Sequence, residues 1–254
     1  MEAHLYDSEQ SDSAASASSS SAAPAKQIVQ LADSHLKLSA AGAGALLFDP
    51  SNGTFDSALQ SRLLSLATRR RDFGQCPLSG IEVVLGVNNL MLIFDPIDTN
   101  PDDASDALLG MWDTTEPELK QKRTIEIPVI YGGHAGEDLI ALANNAHVDV
   151  DEYVRLHSAA TYSVACIGSM PGFAYLTGLP AELAIPRRKV PRMKVDEGTV
   201  IVGGAQAGVM PCTAPSGWHL LGRTQTRMFD AKSTPPCLLE PGNEVRFIVK
   251  GIEA

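Results

Sequence analysis

The chain has 254 residues, 44% hydrophobic and 20% charged, which is ordinary globular usage and enough to bury one large core or two modest ones. Twenty basic against thirty acidic side chains give a formal net charge of −10, so a surface that coats nucleic acid by neutralising phosphates is not expected. No stretch reaches the roughly 18 apolar residues of a membrane span, so no membrane partner is expected and the chain is placed in aqueous solution.

Residues 1–26, rich in Ser and Ala with few large apolar groups, cannot bury enough surface to offset ordering entropy and are read as a disordered leader. They lack the continuous apolar core of a secretory signal. Cys76, Cys166, Cys212 and Cys237 are scattered, with no C-x-x-C spacing. Reduced thiols, a cytoplasmic location and no metal site follow from that pattern.

Folded structure is expected from Gln27, beginning with a small α/β domain over residues 27–115. Gly44–Phe48 is a short apolar run closed by Asp49-Pro50 and the turn pair Asn52-Gly53. Thr54 is the expected cap of a helix carrying Leu59, Leu63 and Leu66 at helical spacing. Arg69, Arg70 and Arg71 at its end serve either an anion patch or helix-end solvation. Ile81–Leu85 and Leu90–Phe94 read as a hairpin around Gly86–Asn89, and Asp102–Trp112 as a second helix. Two strands, a helix, two strands and a helix make an open α/β sandwich.

A charged connector, Glu116–Lys122, marks a boundary near residues 113–123, and residues 116–254 form the second domain. It opens with Ile125–Tyr131 and two short helices, Asp138–Asn145 and Asp149–Ser158, the second with Asp149 and Glu152 at capping-box spacing. Beyond Thr161, short apolar runs (Tyr162–Ile167, Thr199–Val202, Trp218–Leu221, Val245–Val249) alternate with Gly/Pro turns, the pattern of a closed or nearly closed β-barrel.

Several residues in this second domain carry candidate chemistry. Pro171-Gly172 fits a type II turn that would set Phe173 either as a pocket wall or as a core aromatic. His157, followed closely by Tyr162, is the leading acid/base candidate, with a structural histidine as the other reading; His219 beside Trp218 is a weaker one. Arg187, Arg188, Lys189, Arg192 and Lys194, punctuated by Pro186 and Pro191, form either an extended fork for a carboxylate or phosphate, or a solvated loop. Gly203–Gly208 contains Gln206, whose amide matches both sides of another amide; the glycines suit close ligand approach or a barrel corner equally. No Gly-Lys-Ser/Thr follows them, and no ATP-binding motif occurs in the chain.

The ordered set Ile127-Pro128-Val129-Ile130-Tyr131-Gly132-Gly133, His157-Ser158, Pro171-Gly172-Phe173, Tyr175-Leu176, Pro186-Arg187-Arg188, Pro191-Arg192, Gly203-Gly204, Gln206, Gly217-Trp218, Phe229-Asp230, Pro235-Pro236 and Pro241-Gly242 carries a resemblance. It resembles the B subunit of ATP-dependent 5-oxoprolinase, a family also known as the kinase-inhibitor KipI or allophanate hydrolase subunit 1 family, from about residue 125 onward. That resemblance implies an α+β fold, with a small ferredoxin-like α/β domain followed by a cyclophilin-like β-barrel of the carboxyltransferase subdomain C/D type. It also implies one component of a hydrolase, active only in complex with the C and A subunits of 5-oxoprolinase, that uses ATP to open the cyclic amide 5-oxo-L-proline to L-glutamate. A carboxyltransferase-like component acting on urea or allophanate, and a non-catalytic inhibitor of a sensor histidine kinase, are the alternatives. Placed on the family pattern, His157, Arg187, Arg188 and Gln206 are the expected catalytic set. Tyr162, Pro171, Phe173 and Trp218 are expected to line a pocket for the small-molecule amide substrate. Ala174, Met210, Ser216 and His219 depart from the pattern.

Overall fold

The computed structural model describes residues 29–30 (backbone only), 36–69, 80–117 and 122–253. The expected leader, the start at Gln27, Arg70, Arg71, Cys76 and the middle of the connector lie outside the described residues.

The first unit is an antiparallel sheet of β1 (Val29–Gln30), β2 (Lys37–Ala40), β3 (Ala45–Asp49), β4 (Glu82–Leu85) and β5 (Leu90–Ile93), in the order β1-β2-β3-β5-β4. Leu38, Leu46, Phe48, Leu90 and Leu92 project from one face of it. Against them pack Leu63 and Leu66 of α1 (Ser57–Thr68) and Ala104, Leu108 and Trp112 of α2 (Pro101–Asp113). Among the described residues, three strands, not two, precede α1. The cap of α1 is Asp56, whose Oδ1 accepts from Ala58 N at 2.8 Å and Leu59 N at 3.1 Å. Thr54 is unavailable for that role because its N–H and hydroxyl both bond Asn52 Oδ1, at 3.1 and 2.6 Å, closing an Asx turn.

The second unit is a closed barrel of β6 (Thr124–Gly132), β7 (Tyr162–Ile167), β8 (Ala174–Thr177), β10 (Thr199–Gly203), β11 (Gln206–Val209), β13 (His219–Arg223) and β14 (Glu244–Glu253). Its strand order is β10-β11-β8-β7-β14-β6-β13. Strands β9 (Arg192–Val195) and β12 (Ala214–Ser216) form a separate ribbon, and like β8 and β11 of the barrel they are not announced by the sequence. Helices α3 (Leu139–Asn145) and α4 (Val150–Ala159) complete the unit. Asp149 caps α4 by accepting from Glu152 N at 2.8 Å. The reciprocal half of the capping box is absent because the Glu152 carboxylate is taken by Arg155.

Strand alternation explains why β10 reads as uninterrupted apolar sequence. Val200 and Val202 enter the barrel interior, whereas Ile201 points out into a second apolar cluster with Phe173, Val195, Met210, Trp218 and Leu220. Both faces of the strand are covered.

Gln60 of α1 ties the two units together. Its side chain is buried; Nε2 donates to Ala165 O of the barrel at 2.9 Å and to Gly86 O at 3.1 Å, while Oε1 accepts from Asn88 N at 2.6 Å. Gln60→Ala leaves several buried backbone groups without partners, each costing about 1–3 kcal/mol. Urea unfolding should therefore show a loss of about 2 kcal/mol or more; an unchanged midpoint would contradict this role for the amide.

Candidate functional site

The site is best built outward from the barrel wall. Residues paired across neighbouring strands project on the same face. Ile201 pairs with Gly208, Gly203 with Gln206, and Gln206 in turn with Thr177. Since Ile201 lies in the outer cluster, Gly203, Gly208, Gln206 and Thr177 also face outward. A Cβ on Gly203 would stand 2.9 Å from the Trp218 indole, and one on Gly208 would stand 3.0 Å from the Phe173 ring. The glycines are therefore seats for aromatic rings. Gly204, with φ of +63°, also makes the tight turn between β10 and β11, so the barrel-corner reading holds as well.

Three rings meet on this wall edge to face. Phe173 and Tyr175 are 5.0 Å apart, Phe173 and Trp218 5.7 Å, and Tyr175 and Trp218 6.1 Å. Gly172, with φ of +80°, and a bond from Phe173 N to Met170 O at 3.1 Å form the expected turn that delivers Phe173. Pro171 is exposed at the turn, immediately before Gly172.

The basic loop is anchored along its length. Ile185 and Gly204 exchange backbone hydrogen bonds at 3.0 and 2.7 Å, and Arg188 N donates to Gly217 O at 2.8 Å. His219 Nε2 lies 3.0 Å from Pro186 O; a carbonyl only accepts, so this nitrogen carries the proton. The carboxylate of Asp138 supplies the charge. Its Oδ1 accepts from Arg192 Nη2 at 2.8 Å and lies 3.5 Å from Arg188 Nη1, while Oδ2 accepts from Leu220 N at 2.8 Å. Arg192 also donates Nε–H to Glu137 Oε1 at 2.8 Å. Burial alone would raise the Asp138 pKa, but the Arg192 and Leu220 hydrogen bonds and the two guanidiniums outweigh it and hold the carboxyl below its ordinary value.

Arg188 and Arg192 are thus neutralised, and Arg187 is not. Its guanidinium lies 5.2 Å from the centroid of the Trp218 ring, is exposed, and makes no ion pair with a described residue. Within the basic loop expected to form a fork or a solvated segment, Arg188 and Arg192 are held in structural ion pairs and Arg187 is left available.

His157 is elsewhere. It is fully buried inside the barrel end covered by α4, with Nδ1 2.9 Å from Tyr131 Oη and ring centroids of Phe247, Tyr162 and Tyr131 at 4.7, 5.4 and 5.7 Å. Tyr162 is buried with it and donates its hydroxyl to His157 O at 2.9 Å. Burial drives the His157 pKa down to about 3, so the imidazole is neutral. The expectation that His157, the arginines and Gln206 converge on one pocket, with Tyr162 lining it, is therefore corrected. His157 and Tyr162 belong to the barrel interior, while Arg187, Gln206, Phe173 and Trp218 share its outer wall.

Gln206 also borders a groove of about 500 Å³ between the units, together with Thr177, Leu179, Ser51, Phe55 and Asn88. A second cavity of about 420 Å³ continues along the seam past Phe55 and Thr177, lined by Ser57, Ser61, Ser65, Ser163, Lys122 and Arg123. The sequence reading missed the Asp138 clamp and this seam. Asp138 occupies the N-cap position of α3 yet makes no capping bond, so its local context suggests a different role from the one it has.

The chain matches the family model described as carboxyltransferase domain, subdomain C and D, over residues 36–239. It is 43% identical over 174 residues to the 5-oxoprolinase B subunit of Haemophilus influenzae, covering 68% of this chain and 81% of that protein. It is 39% identical over 191 residues to the 5-oxoprolinase B subunit of Escherichia coli O157:H7, covering 75% and 86%. Among solved structures, TTHA0988 superposes with a TM-score of 0.68 at 30% identity over 81% of this chain, which spans only 39% of that longer one. The Kluyveromyces lactis urea amidolyase shares the fold, with a TM-score of 0.72 at 18% identity over 85% of this chain and 15% of its own.

The buried imidazole has a consequence in solution. An unfolded histidine titrates near pH 6.5, so between about 6.5 and about 3 the unfolded chain binds a proton that the native state excludes. The contribution of this group is intact above that window and is lost as pH falls through it, by up to about 1.4 kcal/mol per unit. Urea unfolding between about pH 7 and 5 should show this slope in the native chain and a flatter one in His157→Gln. Equal slopes in both would contradict the buried neutral state.

Proposed function

Since this chain belongs to the 5-oxoprolinase B-subunit family and carries its carboxyltransferase C and D domain, we propose that it is one component of an ATP-dependent 5-oxoprolinase complex. With the A and C subunits, that complex opens 5-oxo-L-proline to L-glutamate in the cytoplasm. The observation that carries the proposal is the Arg187 guanidinium beside Trp218, without an ion-pair partner among the described residues and on the same barrel wall as Gln206.

The substrate is a small ring with one carboxylate and one lactam amide. Arg187 offers its carboxylate a charge-assisted hydrogen bond from a preset position. Gln206 has a carbonyl for the lactam N–H and an NH₂ for the lactam oxygen. Tyr175, partly exposed and backed by the buried Phe173 and Trp218, supplies an apolar surface for the ring methylenes. Overall, the lactam C–N bond breaks, water adds its oxygen to the carbonyl carbon, and the nitrogen leaves as the amine of glutamate. This chain binds and orients the substrate for that reaction.

ATP is the co-substrate of the assembled complex. The glycine-rich segment of this chain does not suit its phosphates, because Trp218 and Phe173 cover Gly203 and Gly208 and the segment closes a hairpin. No phosphoryl step is assigned to it.

The test is reconstitution with the A and C subunits, supplying 5-oxoproline, urea or allophanate with and without ATP. ATP-dependent glutamate formation from 5-oxoproline is expected, and its absence rejects the reading. Arg187→Ala should reduce kcat/KM for 5-oxoproline about 10- to 100-fold, the value of a charged hydrogen bond, while the thermal midpoint stays put. Turnover equal to that of the native assembly would remove Arg187 from substrate recognition.

A further inference from the structure

We propose that the ribbon beside the aromatic wall is a docking surface for a partner protein of the complex whose facing surface is acidic with an apolar centre. The inference rests on the reading above that the chain works within a complex, and it names which face that complex uses.

Val190 and Met193 are 75% and 82% exposed, at a site where solvent contact gains them nothing. Single exposed apolar side chains are common and carry no meaning alone. These two lie on one short segment either side of Pro191-Arg192, a few residues after Arg187 and the wall it overhangs. The segment is already rigid: Pro186 and Pro191 fix its backbone, and the Gly217, His219 and Asp138 bonds hold it. A preordered patch of this kind binds without the entropic cost of arranging its side chains and loop.

Charge selects the occupant. Of the five cations at 187–194, Arg188 and Arg192 are held by Asp138 and Glu137, which leaves Arg187, Lys189 and Lys194 to give the patch its positive charge in a chain of net charge −10. Asp196 and Glu197 lie just past the end of the ribbon strand β9. Lys194 meets only the exposed Asp196, at 3.3 Å. A second copy of this chain joined by a two-fold axis would bring these cations against themselves, which disfavours self-association here. An acidic partner instead meets opposite charge around an apolar centre, the usual anatomy of a specific interface. Seated there, it would close over Arg187 and exclude water from the carboxylate contact.

The experiment uses the full chain, the purified A and C subunits as separate probes, and equilibrium binding measured by sedimentation. Val190→Glu combined with Met193→Glu should weaken binding of one of these probes about 30-fold or more, the effect of losing an interface centre. Raising the salt concentration should weaken binding of the native chain. Ile97→Glu, at a side chain 91% exposed on the other unit, should change nothing. All of these side chains face solvent, so thermal midpoints should match and a folding defect would be seen separately. The proposal is overturned if the double variant binds as the native chain does, if Ile97→Glu weakens binding equally, or if neither probe binds the native chain. It is also overturned if the native chain self-associates and the double variant does not. A complex that forms through this face yet leaves 5-oxoproline intact rejects the substrate reading and sustains the docking surface.

Discussion

The carboxylate of Asp138 gathers two guanidiniums and a strand N–H, and the segment from Pro186 to Arg192 takes its position from that contact. Half-burying a carboxylate is unfavourable unless partners compensate it, and here every partner comes from a different element: the basic loop, the ribbon and β13. Because the charge is satisfied locally, it does not reach Arg187. That residue is left with an aromatic face on one side and solvent on the other.

The same economy governs the aromatic wall. Glycines at 203 and 208 remove the side chains that would hold Trp218 and Phe173 away from the strands, so both rings approach the backbone closely and stay buried. The barrel interior is separately closed. His157 is placed among Tyr131, Tyr162 and Phe247, where it satisfies a tyrosine hydroxyl and fills volume. Interior and exterior are thus distinct, the first a closed core and the second the wall on which the proposed recognition would take place. The seam with the first unit, held by Gln60, borders the outer wall at Gln206 and Thr177.

Much of the fold was legible in the sequence because barrel strands such as Tyr162–Ile167 and Thr199–Gly203 are dense in apolar residues between Gly/Pro turns. Strands β2 and β9 were not, since Lys37–Ala40 and Arg192–Val195 bury too few positions to imprint an apolar alternation. The site was harder. Residue type marked His157 as an acid/base group, but whether a helix-end imidazole faces the interior depends on a barrel built from strands far along the chain. Arg187 and Arg188 are indistinguishable locally; what separates them is a carboxylate 50 residues upstream. Motif order located the wall, and non-local charge pairing decided which of its arginines stays available.

The most direct measurement is a double-mutant cycle on 5-oxoproline turnover by the reconstituted complex, combining Asp138→Asn with Arg187→Ala. If Asp138 acts by positioning Arg187, Asp138→Asn alone should lower kcat/KM about 10-fold, and in the Arg187→Ala background its further loss should shrink to about 2-fold or less. Losses that simply multiply would show that the two residues act independently and would contradict the clamp.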